Sequence, residues 1–285
     1  MGSWEWPLVL FTVLGQTSVG IIFCLWLLSS RRKKEGLPNS DKYNSFMKNS
    51  IILSGVLLIV ALLSSLFHLG EPLAAYRALT HLSTSWLSRE ILFFGFTFVA
   101  WVYLAYASRK PGSDLTGILA LTSVLGLLGV ISSALIYTLP RVPAWNNLGP
   151  IFFFLLTTLI LGALAVLVLG RDALEGKENN RMANWALGSV FAAFLLYVLY
   201  FSFLKVTPEG AATAQFLLQS PIFWVRALVG WIVPLALLFM MGRQKDAQPQ
   251  STLIILALTC GVVGEILGRG LFYLSAIGIE ITALM

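Results

Sequence analysis

The chain has 285 residues, 58% of them hydrophobic, a mean hydropathy of +0.84 and only 11% charged residues. An ordinary soluble domain carries about 25% charged residues, so this composition excludes a water-soluble enzyme or binding module and makes a lipid bilayer the solvent. The net charge of +6 is dispersed in short linkers between apolar runs, a pattern of membrane topology and headgroup contact that predicts no nucleic-acid partner.

Eight apolar runs are long enough to cross a hydrocarbon core of about 30 Å. In chain order they cover about 7–29, 50–68, 87–107, 115–137, 149–170, 183–204, 222–241 and 252–276. Backbone inside lipid must satisfy its own hydrogen bonds, so runs of this length are helices. The expected fold is an all-α integral membrane protein, a bundle of eight transmembrane helices forming a single domain over 1–285. The first run follows "MGSWEWP", which has no basic residue, and precedes "RRKK"; it reads as a retained span and not as a cleaved signal. The linkers, among them 30–49, 69–86 and 205–221, are too short to be domains, and "KPGSD", "LPRVP" and "TPEG" are turn material.

Thirteen of the nineteen Lys and Arg follow the first, third, fifth and seventh runs: Arg31, Arg32, Lys33, Lys34, Lys42, Lys48, Arg109, Lys110, Arg171, Lys177, Arg181, Arg243 and Lys245. The remainder, except Arg269 inside the last run, belong to the other linkers and adjoining helix ends, Arg226 among them. This asymmetry predicts cytoplasmic odd-numbered linkers and both termini on the outer, periplasmic side. Trp4, Trp6, Trp86, Trp145 and Trp224 are then expected in the outer aromatic belt.

Four elements at that outer face carry candidate chemistry. In "SSLFHLGEP" His68 closes the second run, and in "SWLSREILFF" Glu90 opens the third. An imidazole and a carboxylate at the hydrocarbon edge form a proton relay suited to a lipid-soluble substrate that loses protons, a quinol above all. The plain alternative is a histidine bonded to a backbone carbonyl and a solvated glutamate. Glu71 and Arg77, in the following loop, either assist this site or face solvent and headgroups. In "GEILGRGLFY" Glu265 and Arg269 are four apart and share a helical face; a structural ion pair is expected, with a lining of the quinol pocket or a partner contact as the alternative. Gly261, Gly264, Gly268 and Gly270 beside them permit close helix packing. The loop "YTLPRVPAWNNLGP" offers Arg141, Trp145, Asn146 and Asn147 as a cap over the site or as turn residues.

Cys24 and Cys260 stand alone, without a C-x-x-C, and of the two histidines only His68 is within reach of a span. No haem, no iron–sulfur cluster and no metal site are therefore expected in this protein, and electrons taken from a quinol must leave to another subunit.

The quoted segments together resemble the membrane anchor subunit of the anaerobic dimethyl sulfoxide reductase family. "EWPLVLFTVLGQ" is similar to its N-terminus, "FHLGEP" to its H-L-G-x-P segment, "LSREI" to its L-S-x-E-I segment, "VPAWNN" to its V-P-T-W-like outer loop and "GEILGRGLFY" to its G-E-x-x-G-R-x-x-F-Y helix, in order along the chain. The resemblance implies a multi-pass protein of the bacterial cytoplasmic membrane that binds and oxidises menaquinol. Electrons would pass to an iron–sulfur subunit and on to a molybdopterin catalytic subunit in anaerobic respiration. It also implies that His68 and Glu90 form the quinol site, with Glu71, Arg77, Trp145, Glu265 and Arg269 as further contacts. Glu71 replaces the smaller polar residue expected after H-L-G. Rival readings are the anchor of a related polysulfide-type molybdoenzyme, a secondary transporter with Glu265 and Arg269 at the midplane of a broken helix, and a passive anchor.

Overall fold

A computed structural model describes residues 5–38, 40–67, 80–110, 112–174, 176–243 and 247–279. Among these residues the regular structure is entirely helical: α1 (Trp6–Lys34), α2 (Asp41–Leu66), α3 (Trp86–Ala107), α4 (Thr116–Leu135), α5 (Gly149–Leu169), α6 (Lys177–Leu204), α7 (Pro208–Gln219), α8 (Pro221–Ala227), α9 (Val233–Met241) and α10 (Ala247–Leu274). A π-helical turn, Leu228–Ile232, joins α8 to α9, so that Pro221–Met241 runs as one span. Eight helices are then long and apolar enough to cross a membrane, as expected, and the protein is a multi-pass membrane protein. Large apolar side chains such as Val99, Leu199 and Phe203 point outward, an arrangement stable only where the surroundings are lipid.

Helix starts follow local chemistry. Ser40, Ser85 and Thr207 accept hydrogen bonds from the backbone N–H groups of Tyr43, Ser88 and Gly210, and proline occupies the first turn of α1, α5, α7 and α8. The third cap corrects an expectation. The segment 205–221 contains the short helix α7, and "TPEG" is its capped first turn instead of a loop. Thr213 of α7 donates to the carbonyl of Ser275 at 2.9 Å, tying this helix to the end of α10.

The long helix α1 is buried along most of its length and packs against α2, α4, α5 and α10. Where backbones cross, glycine removes the obstacle. A Cβ on Gly20 would overlap the carbonyl oxygen of Thr158 in α5, and one on Gly264 of α10 would overlap Gly230 in the π turn. Gly264 thus marks a crossing within an unbroken helix, which removes the break that a transporter reading of α10 requires. Gly55 of α2 makes room for the indole of Trp101, whose Nε1 donates to the carbonyl of Ile51 at 2.7 Å.

The end of the bundle rich in Lys and Arg is held by charge. Arg32 meets Glu178 at 2.9 Å and Arg181 meets Glu35 at 3.3 Å, joining α1 and its exit to α6. Lys33 meets Asp114 at 2.6 Å, just before α4. Hydrogen bonds from Lys33 and Thr116 hold the Asp114 carboxyl down at about 2.

Candidate functional site

At the opposite end of the bundle, the first turns of α1, α3, α5 and α8 meet the last turns of α4, α6 and α10, and polar side chains converge among them. Glu90 lies one turn inside α3 and is buried at 6% exposure; its carboxylate accepts a hydrogen bond from the Ser133 hydroxyl of α4. One turn further on, Tyr137 and Tyr273 of α10 share a hydroxyl–hydroxyl hydrogen bond of 3.1 Å. Glu90 and Arg269 are both near enough to act electrostatically on these two hydroxyls.

Arg269 is buried beneath them. Its Nη2 donates to Oε1 of Gln16 in α1 at 2.9 Å, and its guanidinium lies 3.7 Å from the ring centre of Phe154 in α5. Glu265, also buried, accepts from the hydroxyl of Thr157 in α5 at 2.5 Å and faces Nη2 of Arg226 at 4.0 Å. Arg226 lies in α8 at 4% exposure, 4.4 Å from the ring centre of Tyr197 and 4.2 Å from that of Trp231, contacts by which aromatic faces stabilise a desolvated cation. It rests on the backbone of α10, because Gly268 leaves the space that a Cβ would take from Nε.

The sequence spacing suggested an ion pair within α10. The structure forms it across helices instead: Glu265 turns to Arg226 and Arg269 to Gln16. Residues four apart share a face, but that face is wide enough for each to meet a different neighbour, and pairing between helices satisfies both at depth. The buried side-chain atoms left without a protein partner here are all donors: Gln16 Nε2, Arg226 Nε and Nη1, Trp231 Nε1 and Arg269 Nε. A cavity of about 20 Å³ lined by Thr157, Tyr197, Arg226, Glu265 and Arg269 has room for one water-sized acceptor.

Trp145 departs from the expected aromatic belt. Its ring stacks on Phe272 at 5.1 Å, meets Tyr137 edge-on at 5.2 Å, and its Nε1 donates to the Phe272 carbonyl at 3.2 Å. The loop thereby roofs the polar cluster. Tyr200 anchors the same loop by donating to the carbonyl of Ala144 at 2.6 Å, and Asn147 bonds within it, accepting from the N–H of Gly149. Trp224 does remain exposed, with its indole N–H on the carbonyl of Leu218.

Of the residues singled out from sequence, Glu90, Trp145, Glu265 and Arg269 are brought into one constellation through Tyr137, Phe272 and Tyr273. His68, Glu71 and Arg77 lie outside the described residues. Sequence reasoning missed Arg226 by assigning it to a linker end, and missed Gln16, Ser133 and the tyrosine pair because isolated polar residues in apolar runs carry no spacing signal. Among the described residues no three His, Cys, Asp or Glu side chains gather as a metal site would require.

The structure defines a class: an all-helical multi-pass membrane protein with a buried polar constellation at one end. The family follows from comparison. Residues 1–274 match the DMSO reductase anchor subunit (DmsC) family, and the protein belongs to it. It is 31% identical over 294 aligned positions to a component of the anaerobic dimethyl sulfoxide reductase of Escherichia coli (strain K12), covering 96% of each sequence. It is 26% identical to a component of the anaerobic dimethyl sulfoxide reductase of Haemophilus influenzae, covering 95% of each. A shorter similarity, 37% over 90 residues or 29% of the present sequence, relates it to a component of the sulfite dehydrogenase of Allochromatium vinosum.

Proposed function

We propose that the protein is the quinol-oxidising membrane subunit of a molybdoenzyme reductase of the dimethyl sulfoxide reductase type, in the bacterial cytoplasmic membrane. The Lys- and Arg-rich end faces the cytoplasm and both termini face outward. Menaquinol gives up two protons and two electrons at the outer end and leaves as menaquinone. His68 takes a hydroxyl proton, and Glu90 orients His68 or relays the proton outward. The electrons pass directly to an iron–sulfur centre of a partner subunit, since this protein is read as holding neither haem nor cluster, and then to a molybdopterin subunit that reduces dimethyl sulfoxide or a related acceptor.

Glu90 carries the reading. A carboxylate buried one turn inside a span is costly to retain, and this one sits beside hydroxyl groups that can pass a proton. The names of the full-length relatives, components of dimethyl sulfoxide reductases, agree with it. The similarity to part of a sulfite dehydrogenase favours, as a second reading, an anchor serving a different soluble enzyme; identifying the co-purified partners separates the two. To test the site, His68→Ala and Glu90→Gln are placed in the assembled complex and quinol-dependent reduction is followed. The expected result is loss of quinol oxidation with assembly intact. Wild-type rates in both variants overturn the assignment.

A further inference from the structure

A second cavity, much larger than the one beside Arg226, lies at the other end of the bundle. At the Lys- and Arg-rich end, the exit of α1, the start of α2, the end of α3 and the start of α4 enclose about 840 Å³. Its lining contains five cations, but two are already engaged: Arg32 with Glu178 and Lys33 with Asp114. Lys48, Arg109 and Lys110 remain, exposed and without a described carboxylate at ion-pair distance, against Asp41 alone. The excess of two positive charges is gathered from α2 and from the linker after α3 onto one concave surface.

The position of the cavity selects the ligand. Arg109 and Lys110 follow directly on the last turn of α3, and Lys48 lies in α2 where its apolar run begins, so the cations stand at the level of lipid phosphates. Val102, Tyr103 and Tyr106, within two turns of Arg109 on α3, are exposed and give acyl chains an apolar track. Leu37, Met47 and Leu115 supply apolar lining beside the charges. Basic pockets between transmembrane helices are suited to anionic headgroups.

We propose that this cavity binds an anionic phospholipid, its phosphate oxygens held by Lys48, Arg109 and Lys110, and that a headgroup with two phosphates binds more tightly than one with a single phosphate. The two-phosphate preference follows from the excess charge of two. The site is separate from quinol oxidation and does not depend on it.

The test uses the intact complex, delipidated in mild detergent and titrated with cardiolipin, phosphatidylglycerol or phosphatidylcholine, with bound lipid counted by native mass spectrometry. Wild type should retain cardiolipin most tightly, phosphatidylglycerol less and phosphatidylcholine least. K48Q/R109Q/K110Q should weaken cardiolipin binding on the order of 100-fold, roughly fivefold per cation. R31Q/K34Q/K42Q removes equal charge from the same end outside the cavity and should leave binding within about threefold of wild type. If the cavity triple does not assemble, the single variants K48Q and K110Q should each show the fivefold loss, and K48R should bind as wild type does. Equal weakening by the two triples would overturn the site, because general surface charge would then account for retention. Displacement of all bound lipid by millimolar inorganic phosphate would overturn the lipid assignment in favour of a free-phosphate site.

Discussion

Arg226→Met tests the electrostatic account of the buried cluster most directly. The substitution keeps an unbranched side chain against Tyr197 and Trp231 but removes the charge facing Glu265. At 4.0 Å and an effective dielectric of 20, two unit charges attract by about 4 kcal/mol. Losing one partner of a buried pair costs about 3–5 kcal/mol, because the other stays buried and uncompensated. The lost cation–π contacts add about 1 kcal/mol. Arg226→Met alone should therefore destabilise the fold by about 4–6 kcal/mol, and Glu265→Gln alone, which keeps the cation–π contacts but strands Arg226, by about 3–5 kcal/mol. The double variant should be less destabilised than either, because neither member of this pair is left facing a missing partner and the amide oxygen introduced by Glu265→Gln can still accept from Thr157. Thermal unfolding midpoints in one detergent, for wild type, both single variants and the double, complete a double-mutant cycle with an expected coupling above about 4 kcal/mol, larger than either single effect because the double is the least destabilised of the three. Additive effects would refute the argument, showing that Arg226 and Glu265 are each stabilised elsewhere. A neutral Arg226→Met would refute it more simply.

Other contacts give sharper local expectations. Gly20→Leu should prevent α1 and α5 from approaching, because the side chain would enter the backbone of Thr158 and Gly162; loss of folded protein in detergent-solubilised membranes is the readout. Trp101→Phe removes the 2.7 Å bond to the Ile51 carbonyl and partly empties the notch over Gly55, costing about 1–3 kcal/mol by thermal unfolding. The Asp114 carboxyl is held at about 2, below its ordinary 3.8. Its contribution is therefore complete above about pH 4 and lost as pH falls through about 2. Lys33 and Asp114 are 65% and 56% exposed, so solvent screens the pair, and Asp114→Asn should lower the stability at pH 7 by well under 1 kcal/mol, read from thermal unfolding.

The eight spans were legible because length and apolarity alone decide what crosses a bilayer, yet their ends were not. α1 continues to Lys34, α2 begins at Asp41 and α6 at Lys177, each beyond its apolar run, because a helix leaving lipid keeps its backbone bonds while its side chains become polar. Arg226 was misplaced by the same rule, which treats a charge as a boundary. Here the boundary is internal: aromatic rings, Glu265 and the bare backbone at Gly268 supply what water would otherwise supply. Spacing placed Glu265 and Arg269 on one face, but their partners depend on how α10 is rotated, and that rotation is set by its contact with Gly230 in another span. Glu90 presents the same difficulty. Its position near a helix start left a solvated glutamate open as the alternative to a relay, whereas the structure buries it against Ser133 of α4, beneath a loop closed over the cluster by Trp145. Residue type and period identify which polar groups enter the membrane; which of them meet is decided by close backbone crossings between spans distant in the sequence, and one sequence marks a glycine such as Gly264 as able to make a crossing without giving its partner.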